Sequence, residues 1–310
     1  MKKVIIAGVL LLSVSQLAAQ PTFGTERGAL SYRHNEVMIN PAYVAFSNGF
    51  RKLSVEAKMQ WAGVEGAPQA QNIQFVGDLS PSAGIGAWFY HESFGITDVM
   101  QLMGAYGYCI PMENGTLSLG LQAGMLTTKD DLVTNINDPL DPVFAESKPR
   151  SWGFNAGIGA YYETDSYYVG LSIPQLLTND LKSDEDGGGI SNKFEFDRLH
   201  FYLMGGYVAE LSPKVHLIPS ALLLYAGSTS FGYEAMLSGM YNRQFRLGVG
   251  YAASNSIRAE AEAFISREVS LSYRFEHSFG DTYKHLSSTH SITLSVFWNS
   301  KDITKPRPIF

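Results

Sequence analysis

The sequence predicts an all-β chain, closed as an antiparallel, up-and-down transmembrane β-barrel of about fourteen strands of the outer-membrane kind. Three observations predict it. Apolar and polar residues alternate strictly over many segments of about ten residues. The links between segments are short after every second one and long after several of the others. Beyond the N-terminus, no apolar run reaches the ~18 residues that a membrane-spanning helix needs.

The chain has 310 residues, a formal charge of −6 and only 17% charged residues, with 30 Gly, 17 Tyr and 18 Phe. An acidic balance argues against nucleic acid as a partner, because phosphate binding needs a basic footprint. Abundant glycine and aromatics suit a β protein rich in turns. Residues 1–19 read as a signal peptide to be removed. Lys2 and Lys3 precede an apolar stretch, 4–14, too short to span a bilayer, and small residues allow cleavage after Ala19. An uncleaved signal anchor is the alternative. No Cys follows the apolar stretch, which argues against a lipoprotein. The one cysteine, Cys109, has no partner for an internal disulfide. It reads as a small buried or lipid-side hydrophobe, with a reactive thiol as the alternative.

The predicted strands are 49–61, 69–78, 82–91, 97–109, 115–128, 151–163, 166–173, 198–211, 214–226, 230–240, 244–252, 257–266, 268–277 and 289–299. In GTLSLGLQAGM (115–125), Leu117, Leu119, Leu121, Ala123 and Met125 share one face, expected to meet lipid. Thr116, Ser118 and Gln122 share the other, expected to meet a lumen. Phe245, Leu247, Val249 and Tyr251 alternate with Arg246, Gly248 and Gly250 in the same way, as do Val269, Leu271, Tyr273 and Phe275 with Ser270, Ser272, Arg274 and Glu276. Backbone groups facing hydrocarbon must all be paired, so such a sheet has to close.

The loops orient the barrel. Links after even-numbered strands are short, whereas 129–150, 174–197 and 278–288, after odd-numbered ones, are long. In outer-membrane barrels short turns face the periplasm and long loops face outside. An even strand number then puts both termini in the periplasm. The expected organisation is therefore a periplasmic N-terminal segment, 20–48, a barrel, 49–299, and a periplasmic C-terminal tail, 300–310. Trp61, Trp88, Trp152 and Trp298, with many tyrosines, fall near strand ends and are expected at the membrane–water boundaries.

On this parity the lumen carries charges of both signs: Lys52, Glu56 and Lys58 on the first strand, and Arg246, Arg258, Glu260, Glu262, Arg274 and Glu276 on late ones. They read either as a selectivity or gating element or as a solvated ladder of cross-strand pairs. Signatures of a nucleophile elbow, a zinc protease, a redox pair and a phosphate loop are absent. The seven histidines are scattered, and NAGIGA (155–160) lies in a strand with no helix after it. SDEDGGG (183–189) resembles part of a calcium loop, but Lys182 stands where the first carboxylate should be, and a flexible surface loop is the better reading. No enzyme, cofactor or metal site is expected.

The stretch 39–97 is the most distinctive. INPAYVAF (39–46), VEAKMQWAGVEGAPQAQNIQF (55–75) and GIGAWFYHESFGIT (84–97) together resemble the PorP/SprF family of outer-membrane proteins from bacteria of the Bacteroidetes type. The residues that carry the resemblance are Asn40, Pro41, Ala42 and Tyr43; Lys58, Gln60 and Trp61; Gly66, Ala67 and Pro68; and Gly84, Gly86 and Gly95. YYVGLSIPQLL (167–177) is similar to a further family segment. Thr289-His290-Ser291-Ile292 stands where the family often has Ser-His-Glu-Ile. The resemblance implies a place in the type IX secretion and gliding machinery, in the outer membrane. Its implied partners are secreted proteins with C-terminal signal domains, periplasmic secretion-ring proteins and outer-membrane lipid. Asn40-Pro41 is expected to shape the approach to the first strand. Tyr43 is expected at the inner boundary, Gln60 toward the lumen, Trp61 at the outer boundary and Gly66-Ala67-Pro68 in the first outside loop. These residues serve either partner binding or architecture alone. A passive small-solute channel is the alternative function.

Overall fold

The computed structural model describes residues 31–46, 50–130, 151–181, 190–226, 230–279 and 288–299. The strands are β1 (Phe50–Met59), β2 (Gln69–Ser80), β3 (Ala83–Phe94), β4 (Thr97–Met112), β5 (Gly115–Asp130), β6 (Ser151–Glu163), β7 (Tyr167–Ile173), β8 (Thr178–Leu181), β9 (Ile190–Lys193), β10 (His200–Tyr207), β11 (Ala209–Ser212), β12 (Val215–Ala226), β13 (Ser230–Tyr241), β14 (Phe245–Ala252), β15 (Ser256–Phe264), β16 (Val269–Ser278) and β17 (Thr289–Asn299). β8 and β9 form a separate hairpin, and β10 and β11 are one strand interrupted at Val208. The remaining order is antiparallel neighbour to neighbour. β1 pairs with β17 and β10 with β12, so fourteen strands close on themselves without an edge.

Loop lengths segregate by end, as alternation and parity predicted. Links 81–82, 113–114, 164–166, 213–214, 242–244 and 265–268 gather at one mouth with the start of β1 and the finish of β17, where Phe50 faces Asn299. Asn242 and Arg243, both with φ near +50°, make the tight β13–β14 hairpin. The opposite mouth carries the longer links. There Gly66 and Gly95, with φ of +71° and +55°, join the β1–β2 and β3–β4 links through a Gly95 N–H to Gly66 C=O bond of 2.9 Å.

The two faces of the wall are unlike, as the alternation demands. Leu119, Leu121, Met125, Leu247, Val249 and Leu271 are exposed on the outside, while Ser118, Gln122, Arg246, Ser270 and Arg274 are buried on the inside. Exposed aromatics ring both ends of the outer face. Tyr108, Tyr167, Tyr207, Tyr241 and Phe245 lie toward the short-turn mouth, and Trp152, Tyr225, Phe231 and Tyr251 toward the other. Trp88 departs from the boundary position expected for it. Its lumen parity with Gly84 and Gly86 carries it inside, where Nε1–H donates to Gln122 Oε1 at 3.0 Å.

The largest departure concerns the N-terminal segment. Residues 20–48 were expected as a periplasmic segment, but the described part, 31–46, lies inside the barrel. A short helix, α1 (Glu36–Ile39), and a 3-10 helix (Pro41–Phe46) cross the lumen with Tyr32, Val37, Met38, Ile39, Asn40, Ala42 and Val44 buried. Burial explains the difference: a fourteen-strand wall encloses more volume than its own side chains fill, and this segment supplies apolar groups for it. Residues 1–30, 131–150, 182–189, 280–287 and 300–310, which include the signal peptide, most of the first long loop, most of the acidic run and the C-terminal tail, lie outside the described residues.

Candidate functional site

Among the described residues, most of the polar residues picked out from sequence converge in the occupied lumen. Its floor is made of glycines. Gly84 and Gly86 on β3, Gly107 on β4, Gly120 on β5, Gly159 on β6 and Gly170 on β7 all face inward beneath the 36–46 segment. A Cβ at Gly84 would lie 1.9 Å from Val44 O, at Gly120 2.2 Å from Ala42 N, and at Gly159 2.1 Å from Asn40 Oδ1. Side chains there are incompatible with the segment, so the glycine-rich strands of the sequence are the seat of the plug.

Hydrogen bonds fasten the same stretch. Asn40 is fully buried. Its Nδ2 donates to Ala160 O at 3.0 Å, and its Oδ1 accepts from Ala42 N–H at 3.0 Å. Ser172 Oγ donates to Ile39 O and Ser118 Oγ to Ala42 O, each at 2.7 Å. Cys109 Sγ donates to Ala45 O at 3.1 Å, which gives the single thiol a place on the lumen side. Tyr43, expected at a membrane boundary, instead packs edge-on against Tyr161 at 5.8 Å, and Tyr161 stacks on Tyr168 at 5.4 Å. Asn40, Pro41, Ala42 and Tyr43 thus act as the contact surface of the plug. From above, Gln122 Nε2 donates to Pro174 O and Asn155 Nδ2 to Leu177 O, so the 174–177 stretch also folds over the inner wall.

Residues 31–36 meet the wall through charge. The Arg33 guanidinium lies 2.8 Å from Glu260 and 3.0 Å from Glu262. Burial alone would depress its pKa, but the two carboxylates outweigh that and hold it above the ordinary value. Burial pushes the Tyr32 phenol up, so it stays neutral beside Ser220, with which it shares a hydrogen bond. Asn35 donates to Glu56 and accepts from Asn72, Gln74 donates to His34 O, and Lys52 lies 3.2 Å from Glu36.

Beyond the plug, Glu234 on β13 bridges Arg258 and Arg274. Arg258 also meets Glu276 at 3.1 Å, Arg274 meets Glu260 at 3.6 Å, and Arg246 meets Glu262 at 3.9 Å. Sequence reading found these wall charges but took them to be either a gating element or a solvated ladder. Glu56, Lys58, Arg246, Arg258, Glu260, Glu262 and Arg274 are in fact buried, and the ladder is not solvated. Lys52 and Glu276 join them through Glu36 and Arg258. Glu234 was missed, although its alternation with exposed Leu237 and Tyr241 puts it inward. Arg33, His34 and Glu36 were missed because their segment has no period to read.

The other motif residues sit at the long-loop mouth. Gln60, half-buried, donates its N–H to Pro68 O at 2.9 Å; Trp61, with φ +50°, is half-buried where β1 ends; Gly66 and Ala67 shape the link that follows.

Such an arrangement defines a class: a closed, lipid-facing β-barrel of the outer-membrane kind whose lumen is plugged by its own N-terminal segment. The model of the family described as type IX secretion system membrane protein PorP/SprF matches residues 29–296, and the chain belongs to that family. No curated protein matches it. Among solved structures it is similar to a TodX deltaS2S3 mutant monoaromatic hydrocarbon channel, at 13% identity and TM-score 0.50 over 85% of this chain and 93% of that one. A Pseudomonas aeruginosa FadL homologue is 11% identical, with a TM-score of 0.49 over 88% of this chain and 96% of that one. Acinetobacter baumannii Omp33 is 8% identical, with a TM-score of 0.45 over 80% and 97%. At these identities the TodX likeness speaks for the fold alone.

Proposed function

We propose that this barrel is a non-enzymatic holding component of type IX secretion. In this reading both termini and the short turns face the periplasm and contact secretion-ring proteins. The longer links at the other mouth grip secreted proteins through their C-terminal signal domains. Family membership supports the pathway. The observation that carries the reading from pathway to mode of action is the filled lumen. A wall whose interior is occupied by buried, mutually bonded groups has its two mouths left as working surfaces. The passive-channel alternative has the same observation against it, because residues 31–46 and 174–177 stand where solute would pass. Pull-down from gently solubilised outer membranes with a secreted C-terminal domain as bait tests the proposal. Co-recovery of the barrel is expected. Its absence, together with steady conductance in planar bilayers, would overturn the reading in favour of a channel.

A further inference from the structure

The plug is held by two kinds of contact, mainly polar at its start and mainly apolar beyond, with the Tyr32 ring joining the apolar cluster of Ile39 and Ala42. Residues 37–46 rest on the glycine floor with no clearance, bury Val37, Met38, Ile39, Ala42 and Val44, and have their carbonyls capped by wall side chains. Lifting this stretch exposes apolar surface and orphans buried polar groups at once. Residues 31–35 are polar except for the Tyr32 ring; they are fastened through carboxylates and amides of β1, β2 and β15 and, at the Tyr32 hydroxyl, through Ser220 of β12.

The wall carboxylates that hold Arg33 have a second partner of their own. Glu260 already faces Arg274 at 3.6 Å, and Glu262 faces Arg246 at 3.9 Å. If Arg33 leaves, neither carboxylate is stranded in the interior, which is what normally makes the breaking of a buried ion pair costly. A guanidinium released toward water regains its hydration. Both arrangements therefore leave Glu260 and Glu262 paired, which favours an element with two discrete positions.

We propose that the plug is a hinged latch. Residues 31–35 exchange between a docked position on β1, β2, β12 and β15 and an undocked one, while residues 36–46, with α1, stay seated on β3–β7. The Arg33–Glu260–Glu262 cluster sets the balance, with Arg246 and Arg274 as the alternate partners. The inference does not depend on what the mouths of the barrel hold.

Thiol accessibility tests it, using the full mature chain in lipid nanodiscs and a Cys109→Ser background. Ser31→Cys reports on the latch and Val44→Cys on the seat, with a small charged methanethiosulfonate as probe and intact mass as readout. Adding Arg33→Gln is expected to raise the labelling rate at position 31 about tenfold or more while leaving position 44 unchanged. Glu262→Gln, which removes one of the two anions that Arg33 contacts, is expected to act in the same direction. A heat-dependent shift in gel mobility verifies that each variant is folded. Labelling at position 31 that neither substitution accelerates overturns the proposal. So does an equal rise at positions 31 and 44, because the whole plug then leaves together. Failure of both charge variants to fold overturns it too, since the cluster would then be part of the fold and not a latch.

Discussion

Gly120→Ala is the sharpest probe of the seat. The added Cβ would lie 2.2 Å from Ala42 N and 2.4 Å from both Ala42 Cα and Pro41 C, where ordinary contact begins at 3.4 Å. All three atoms are backbone, so no side chain can swing away, and the plug must retreat by about 1.2 Å locally, a small-to-large strain costing ~1–3 kcal/mol. The same retreat stretches the 2.7 Å bond from Ser118 Oγ to Ala42 O past useful length. That loss adds about 1 kcal/mol, so destabilisation of about 2–4 kcal/mol is expected. Gly239→Ala is the matched control. No atom of the described residues lies within 4 Å of its Cβ position, and relief of glycine's backbone freedom in a strand is expected to stabilise by ~0.5–1 kcal/mol. Urea unfolding of each variant from lipid vesicles measures the difference. Equal midpoints for the two alanine variants would refute the close seating of residues 41–42 on β5.

Three further outcomes are expected. Leu119→Arg places a cation on the lipid-facing surface of β5 and should lower stability in bilayers by ~2–4 kcal/mol near the midplane; an unchanged urea midpoint would contradict the outward assignment of that face. Glu234→Gln removes the anion that Arg258 and Arg274 share but leaves each a second one, Glu276 and Glu260, and should cost about 1.5–3 kcal/mol, read in the same titration against Glu195→Gln, whose carboxylate lies beside Arg198 and should change it by less than ~0.5 kcal/mol. Asn40→Ala removes the bonds to Ala160 O and Ala42 N–H and should cost ~1–3 kcal/mol, with protease cutting after Arg33 as a second measure of a loosened plug.

The wall was legible because a period of two is hard to imitate. Leu119, Leu121 and Met125 against Ser118 and Gln122 state a sidedness that any lipid-facing strand must have, and parity of loop length then orders the strands. What escaped was the filling. Residues 31–46 have neither period nor length to announce an element, and a segment before a first strand reads by default as lying outside. The missing signal was on the wall itself. Gly84, Gly86, Gly107, Gly120, Gly159 and Gly170 are all on inward parity across five adjacent strands, where a barrel wall needs volume. Small residues in that position imply a second backbone lying against them. Parity also placed Trp88 inside, against the boundary position drawn from its strand alone. The charges at 246, 258, 260, 262 and 274 were found for the right reason, but whether water surrounds them depends on the plug and not on their own strands.

The order of elements along the chain has a consequence for assembly. The occupant of the lumen precedes β1, and it is therefore synthesised and exported before any of the strands that surround it. It cannot be threaded into a finished cylinder without passing the mouths. We expect the sheet to wrap around it instead, with the β1–β17 seam, from Phe50 opposite Asn299 to Met59 opposite His290, closing last. A catalyst of membrane insertion that recognises the final strand would then complete the wall only after the cargo of its own interior is already aboard.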